Sequence, residues 1–225
     1  MCMNRPYVSI DELPDVLRLF PLEGALLLPR GDLPLNIFEP RYLSMIDSAM
    51  AGDRLIGMVQ PLPDARAEEV PLYEIGCAGR LTHFSETGDG RYVITLSGVS
   101  RFRILDEAAS NAPFRTARVA FEAFAHDLEP GAGEDAVDRA GMTDMLRKFA
   151  HASKLDIDWA SIDAAPTEIL VNALAMMCPF GAREKQSLLE AIDLKRRAEV
   201  LVGLARFDLA QGESVPRPVG RGQFH

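Results

Sequence analysis

Short apolar runs separated by prolines open the chain. Over residues 17–42, LRLFPLEGALLLPRGDLPLNIFEPRY, the prolines are Pro21, Pro29, Pro34 and Pro40, with Gly24 and Gly31 between them. Proline fixes φ and has no N–H to give to a sheet ladder, so each one ends a strand rather than continuing it. The pattern predicts three short strands, at residues 16–20, 25–28 and 33–38. They feed a helix with Pro40 at its favoured first position. Tyr42, Met45, Ile46, Ala49 and Met50 recur at helical spacing and mark that helix's buried face, and Gly52 is a natural stop.

Period-2 patterning continues to about residue 124. Residues 54–60 read as a strand closed by Pro61 and Pro63, and a polar loop follows through Glu69. Runs at 73–84 and 91–98 are joined by Ser85-Glu-Thr-Gly-Asp-Gly90, a hairpin signal. Runs at 99–105 and 114–124 supply two more strands. Before them all, residues 1–15 form a polar arm docked through Tyr7, Val8 and Ile10.

Beyond Phe124 the period changes. Residues 126–135 form a turn-rich connection, and the pattern is helical afterwards. One stripe is Met142, Met145, Leu146 and Phe149, and a second is Ile169, Leu170, Ala173, Leu174 and Met177, stopped by Pro179. A shorter helix spans 182–192. Asp193 is placed to cap a last long helix with Leu194, Ala198, Leu201, Val202, Ala205 and Leu209 on its apolar face. The segregation of strands from helices is that of an α+β protein. It divides into a β part with one helix at 1–125, a helical bundle at 126–210 and a disordered Gly/Pro/Arg-rich tail at 211–225.

Composition narrows the function. At 225 residues with 48% hydrophobic and 25% charged positions, the chain is ordinary for a folded globular protein. Its net charge is −9, and the acidic excess is shared by both halves, so the basic surface of a phosphate-backbone binder is missing from the balance sheet of residues. Cys2, Cys77 and Cys178 are scattered, with no CxxC, which speaks against a disulfide framework or a zinc site and fits a reducing cytoplasm. The start carries no apolar signal-peptide core, and no apolar run approaches the length that spans a bilayer. The expectation is a cytoplasmic protein that does not enter a membrane.

Motifs for chemistry fail one by one. None of the four lysines follows a glycine, which excludes a phosphate-binding loop. Gly131-Ala-Gly-Glu-Asp-Ala136 matches GxGxxA, but Glu134 and Asp135 stand where a pyrophosphate would bind and instead suit the first turn of a helix. Asp156, Asp158 and Asp163 lack the glycine and terminal glutamate of a calcium loop. The histidines show no HExxH or close pairing, and there is no GxSxG. No catalytic residue, cofactor site or metal site is therefore assigned. The remaining candidate is the strand-to-helix corner of Phe38, Glu39, Arg41 and Tyr42, where an aromatic, a carboxylate and a guanidinium can hold a peptide. The plain alternative is that Phe38 and Tyr42 are core while Glu39 and Arg41 brace the corner.

The corner also carries a resemblance. Phe20-Pro-Leu, Leu28-Pro, Pro34-Leu-Asn-Ile-Phe-Glu-Pro-Arg-Tyr42, Val59-Gln60, Tyr73-Glu-Ile-Gly-Cys-Ala78, Asp89-Gly90, Ser97-Gly-Val-Ser-Arg-Phe-Arg-Ile104 and Lys185-Gln-Ser-Leu-Leu-Glu190 follow one another in the order found in the N-terminal substrate-binding domain of Lon proteases. The chain resembles that family over about residues 13–210, in the form of its stand-alone bacterial members and of the Lon-like domains attached to ring-finger proteins. The resemblance implies a PUA-like mixed β pseudo-barrel followed by a C-terminal helical bundle. A full Lon protease continues into an ATPase with a phosphate loop and a Ser–Lys peptidase domain, and this sequence contains neither. The implied function is a non-catalytic recognition module for unfolded proteins or peptides, with a protease or chaperone as a further partner. An RNA-associated role is the alternative that a PUA-like architecture suggests, and the acidic charge counts against it.

Overall fold

Alternation of Leu17 and Leu19 with Val16 and Arg18 sends one side of the first strand inward, and the same logic closes the first half of the molecule into a barrel. In the computed structural model, which describes residues 5–63, 70–153 and 159–212, the strands are β1 (Val16–Pro21), β2 (Asp32–Ile37), β3 (Leu55–Val59), β4 (Ile75–Glu86), β5 (Tyr92–Ala108) and β6 (Thr116–Ala120). They form one mixed sheet ordered β2-β5-β4-β3-β1-β6, in which β6 also pairs with β5. That extra pairing closes β1, β3, β4, β5 and β6 into a ring, and β2 extends from it along β5. Only β1 and β3 run parallel. Their crossover carries β2 and helix α1 (Pro40–Met50).

Strand β5 is the axis of this arrangement. Its first part pairs with β2, from Tyr92 opposite Ile37 to Ser97 opposite Asp32, and its last part pairs with β6, from Arg103 opposite Ala120 to Ala108 opposite Thr116. Register shifts at Ala78/Gly79 and Leu81/His83 against β4, and at Ile104/Asp106 against β6, let one strand serve both. Inside the ring Leu17, Leu19, Leu55, Val59, Ala78, Phe102, Ala117, Val119 and Phe121 form a closed apolar cluster. Phe102 fits because Gly76 and Gly57 lie beneath it. A Cβ on Gly76 would meet the ring at 2.5 Å, and one on Gly57 would meet it at 2.9 Å.

The helical half comprises α2 (Arg139–Ala152), α3 (Trp159–Ala164), α4 (Thr167–Met177), α5 (Ala182–Leu189) and α6 (Leu194–Gly212). Of the expected stripe residues, Met142, Leu146, Phe149, Leu170, Leu174, Leu194, Ala198, Leu201 and Ala205 are buried, whereas Ile169 and Met177 of α4 are exposed and Val171 and Ala175 are buried in their place. Asp193 does cap α6, its carboxylate accepting from the Arg196 N–H at 2.7 Å. A second, larger apolar cluster joins these helices to α1, to Phe20 and to Ile56, Met58, Ile94 and Leu96 of the sheet.

Several expectations need correction. Residues 25–28 are not a strand. Leu26, Leu27 and Leu28 are buried in irregular chain whose flanking polar groups are met by side chains. Gln60 accepts from the Gly24 N–H at 3.1 Å, Lys185 donates to the Gly24 carbonyl at 2.9 Å, and Asn172 donates to the Pro29 carbonyl at 3.0 Å. The runs 91–98 and 99–105 are one strand, β5. Residues 114–124 are strand only over Thr116–Ala120, and a 3-10 segment follows at Glu122–Leu128. Helix 182–192 ends at Leu189, and α3 was not foreseen. Val8 is exposed, whereas Tyr7 and Ile10 do pack on the barrel cluster. The loop of residues 64–69, Asp156, Asp158 and the tail from 213 lie outside the described residues.

Candidate functional site

The corner between β2 and α1 is built by Pro40 at the first helical position, with Glu39 extended before it (φ −74°, ψ 132°). The residues singled out there separate into two groups. Phe38 is 58% exposed, faces Arg91, whose guanidinium carbon is 6.0 Å from the ring centroid, and stands apart from the groove described next. Glu39 is half-buried and Arg41 exposed, and they bind each other, with Arg41 Nε 2.9 Å and Nη2 2.8 Å from Glu39 Oε2. Tyr42 is buried to 8% exposure, between the Phe20 ring at 4.4 Å and the Arg41 guanidinium at 4.5 Å.

Arg41 and Tyr42 form one wall of a groove of about 460 Å³. Its floor is the end of β1, at Leu19 and Pro21, and its opposite wall is the β5–β6 connection, with Pro113, Phe114 and Arg115. Arg115 is held by a two-pronged contact to Glu107 and by the Val70 carbonyl at 2.7 Å. Burial raises the Tyr42 pKa above the usual tyrosine value. Arg41 and Arg115 oppose that rise and Glu39 adds to it. The groove thus has two guanidiniums, each matched to a carboxylate, around one neutral hydroxyl. A larger cleft of about 650 Å³ lies between β4 and the end of α5, but its polar lining is already committed: Arg103 to Glu74 at 2.6 Å, and Glu190 to Gln186 at 2.8 Å.

Sequence reasoning missed the charged interior that places the helical half on the barrel. Arg101 of β5 is 1% exposed. It donates to Asp127 from its backbone N–H at 2.9 Å, from Nε at 2.8 Å and from Nη2 at 2.8 Å. Its Nη1 donates to the carbonyls of Leu189 and Ala191 at the end of α5. Arg30, in the left-handed region at φ 62°, binds Glu168 of α4 and the Asp127 carbonyl. Arg197 of α6 donates to Asn172 at 2.9 Å and to the Leu188 carbonyl at 3.1 Å. The 126–135 connection is consequently tied down at Asp127 and at Gly131, whose N–H donates to Glu168 at 2.8 Å. Nothing in the sequence flags Arg101 as buried, because Asp127, Leu189 and Ala191 lie 26 to 90 residues away.

Among the described residues no group of three or more His, Cys, Asp or Glu is placed to hold a metal ion, and no helix is long and apolar enough to cross a membrane. Burial pushes the Cys178 thiol up to about 11, and Cys77 higher still.

Comparison with known proteins agrees with this architecture. The family described as ATP-dependent protease La (LON) substrate-binding domain matches residues 16–206. Lon protease 2 of Myxococcus xanthus is 27% identical over 211 residues, covering 88% of this chain and 24% of that protein. Lon protease of Anaeromyxobacter dehalogenans is 26% identical, with the same coverage of 88% and 24%. The chain therefore spans about a quarter of the length of these curated relatives. Among solved structures, a Lon N-terminal domain protein from Xanthomonas campestris superposes with a TM-score of 0.59 at 24% identity, over 84% of this chain and 97% of that one. The N-terminal domain of Mycobacterium avium complex Lon protease gives 0.63 at 16% identity, over 85% and 98%. With a family match across most of its length and an α+β pseudo-barrel followed by helices, the chain belongs to the LON substrate-binding domain family.

Proposed function

We propose that this chain is a non-catalytic recognition module that binds unfolded or extended polypeptides in the groove between α1 and the β5–β6 connection. The observation that carries the reading is the groove itself. Arg41 and Tyr42 come from the family-like stretch of residues 34–42, and they share the groove with the apolar Pro21 and Phe114 and the polar Ser110, Arg115 and Thr116. A groove that offers both fixed polar groups and apolar contacts suits a polypeptide main chain together with its side chains. Phe38, exposed at the end of the sheet-edge strand β2, offers a second contact for a longer segment.

An RNA-associated role is not favoured. The surface arginines Arg18, Arg91, Arg103, Arg115 and Arg118 are each paired with a carboxylate, so little uncompensated positive charge remains for a phosphate backbone.

The reading is tested by titrating fluorescein-labelled, dephosphorylated β-casein, a natively unfolded chain, with the protein and with Arg41→Ala. Losing a charged donor at the groove weakens binding by about 1–3 kcal/mol. The melting temperature changes little, since the Arg41–Glu39 pair is exposed. A variant that melts earlier yet binds equally well per folded molecule would reduce the corner to a structural brace.

A further inference from the structure

We infer that the Tyr42 hydroxyl donates the hydrogen bond that receives a main-chain carbonyl of the bound polypeptide, and that the groove selects neutral segments over acidic ones. The inference rests on the recognition reading above and adds the chemistry of its ligand.

The first observation is an idle donor. Tyr42 is more than nine-tenths buried, and buried tyrosine hydroxyls normally find a partner. This hydroxyl makes no hydrogen bond to any described residue, although the ring is fixed from both sides by Phe20 and Arg41. The oxygen is not sealed off either. Among the described residues, the fully enclosed side-chain nitrogen or oxygen left without a partner is Nη2 of Arg197, not the Tyr42 oxygen. The hydroxyl is therefore not enclosed, and its residue lines the groove. A donor held rigidly beside an open groove, with no internal acceptor, is an organised site for an acceptor from outside. Burial keeps its pKa above the ordinary tyrosine value, so it remains a donor through neutral and mildly alkaline pH.

The second observation is the charge balance. Arg41 is engaged by Glu39 and Arg115 by Glu107, so two cations and two anions surround the hydroxyl. An incoming carboxylate would have to displace one of these carboxylates while being repelled by the other. A peptide carbonyl faces no such competition.

The experiment is anisotropy titration of the same labelled β-casein with wild type and Tyr42→Phe, each accompanied by a thermal melt. Two unlabelled competitors are added: a capped ten-residue peptide of Leu, Phe, Ser and Ala, and its counterpart with two Ser replaced by Glu. Tyr42→Phe removes one oxygen and keeps the ring. It should bind about five- to tenfold more weakly, as the loss of one neutral hydrogen bond gives. Its melting temperature should stay level or rise, because no internal partner is lost. The neutral peptide should compete better than the acidic one. Equal affinity of wild type and Tyr42→Phe, or stronger competition by the acidic peptide, overturns this inference and leaves the recognition reading standing. A lower melting temperature with unchanged affinity per folded molecule overturns it too, by making the hydroxyl structural. No binding by wild type overturns both.

Discussion

Replacing Asp127 with alanine would strip the counter-charge from a guanidinium that has nowhere else to go. Arg101 is 1% exposed, Asp127 is 5% exposed, and three hydrogen bonds of 2.8–2.9 Å join them. Arg197, also buried, lies close enough to act on the Asp127 carboxyl, so the loss leaves two like charges in the same interior. Removing one partner of a buried pair costs about 3–5 kcal/mol, against about 1 kcal/mol or less for an exposed one. At about 2–4 °C per kcal/mol for a chain of this size, the melting temperature should fall by about 6–20 °C. Circular dichroism melts of Asp127→Ala at pH 7 measure this, with Asp106→Ala as the control, because the Asp106–Arg118 pair is exposed. Acid titration adds a second reading. Burial raises the Asp127 pKa, but the Arg101 hydrogen bonds and charge outweigh it, and the carboxyl ends below its ordinary value. A depressed folded pKa contributes stability that is fully present above the unfolded value of about 4 and is lost as pH falls through the folded value. Wild type should therefore lose part of its advantage over Asp127→Ala below about pH 4. Equal small shifts for Asp127→Ala and Asp106→Ala would refute the assignment of this pair as the tie between barrel and helices.

Two further outcomes follow from the interior. Gly76→Ala should destabilise by about 1–3 kcal/mol in urea denaturation, since its Cβ would lie 2.5 Å from Phe102, 2.6 Å from the Met58 carbonyl oxygen and 2.7 Å from Val59; an unchanged midpoint would mean that the barrel is looser than drawn. In a Cys2→Ser background, Cys77 and Cys178 should resist a thiol reagent at pH 8 until the protein unfolds, both being buried with raised pKa values, and rapid labelling of the folded protein would contradict their placement.

How much of this could be read from the chain depends on the range of the interactions involved. The change from period 2 to helical period near residue 124 reports local geometry, so the order of strands then helices and the buried faces of α1, α2 and α6 were legible, and that of α4 only at Leu170 and Leu174. Residues 25–28 were not, because a short apolar run looks the same in a strand and in buried irregular chain. The flanking Gly24 and Pro29 are met by Gln60, Lys185 and Asn172, and Ala25 and Leu28 bond within turns rather than to a neighbouring strand. Gly98 read as a break in β5, yet it sits there because the turn at Leu28 presses on it, its Cβ position being 2.0 Å from the Leu28 carbonyl oxygen. Phe121 before the 3-10 segment and Phe124 within it are both buried and so imitated a longer strand. The candidate corner was half legible. Its residues stand in one contiguous motif, but the groove exists only because residues 108–116 fold back beside them, a contact that local patterning does not encode.

The central claim is that this chain recognises extended polypeptide without chemically altering it. The most direct measurement is the β-casein titration with the polypeptide recovered from the saturated complex and its intact mass determined. Saturable binding, weakened about tenfold in Arg41→Ala as loss of one charged hydrogen bond implies, with an unchanged casein mass, is the expected result. No saturable binding, or a shortened casein whose production disappears when a residue of this protein is mutated, would contradict it.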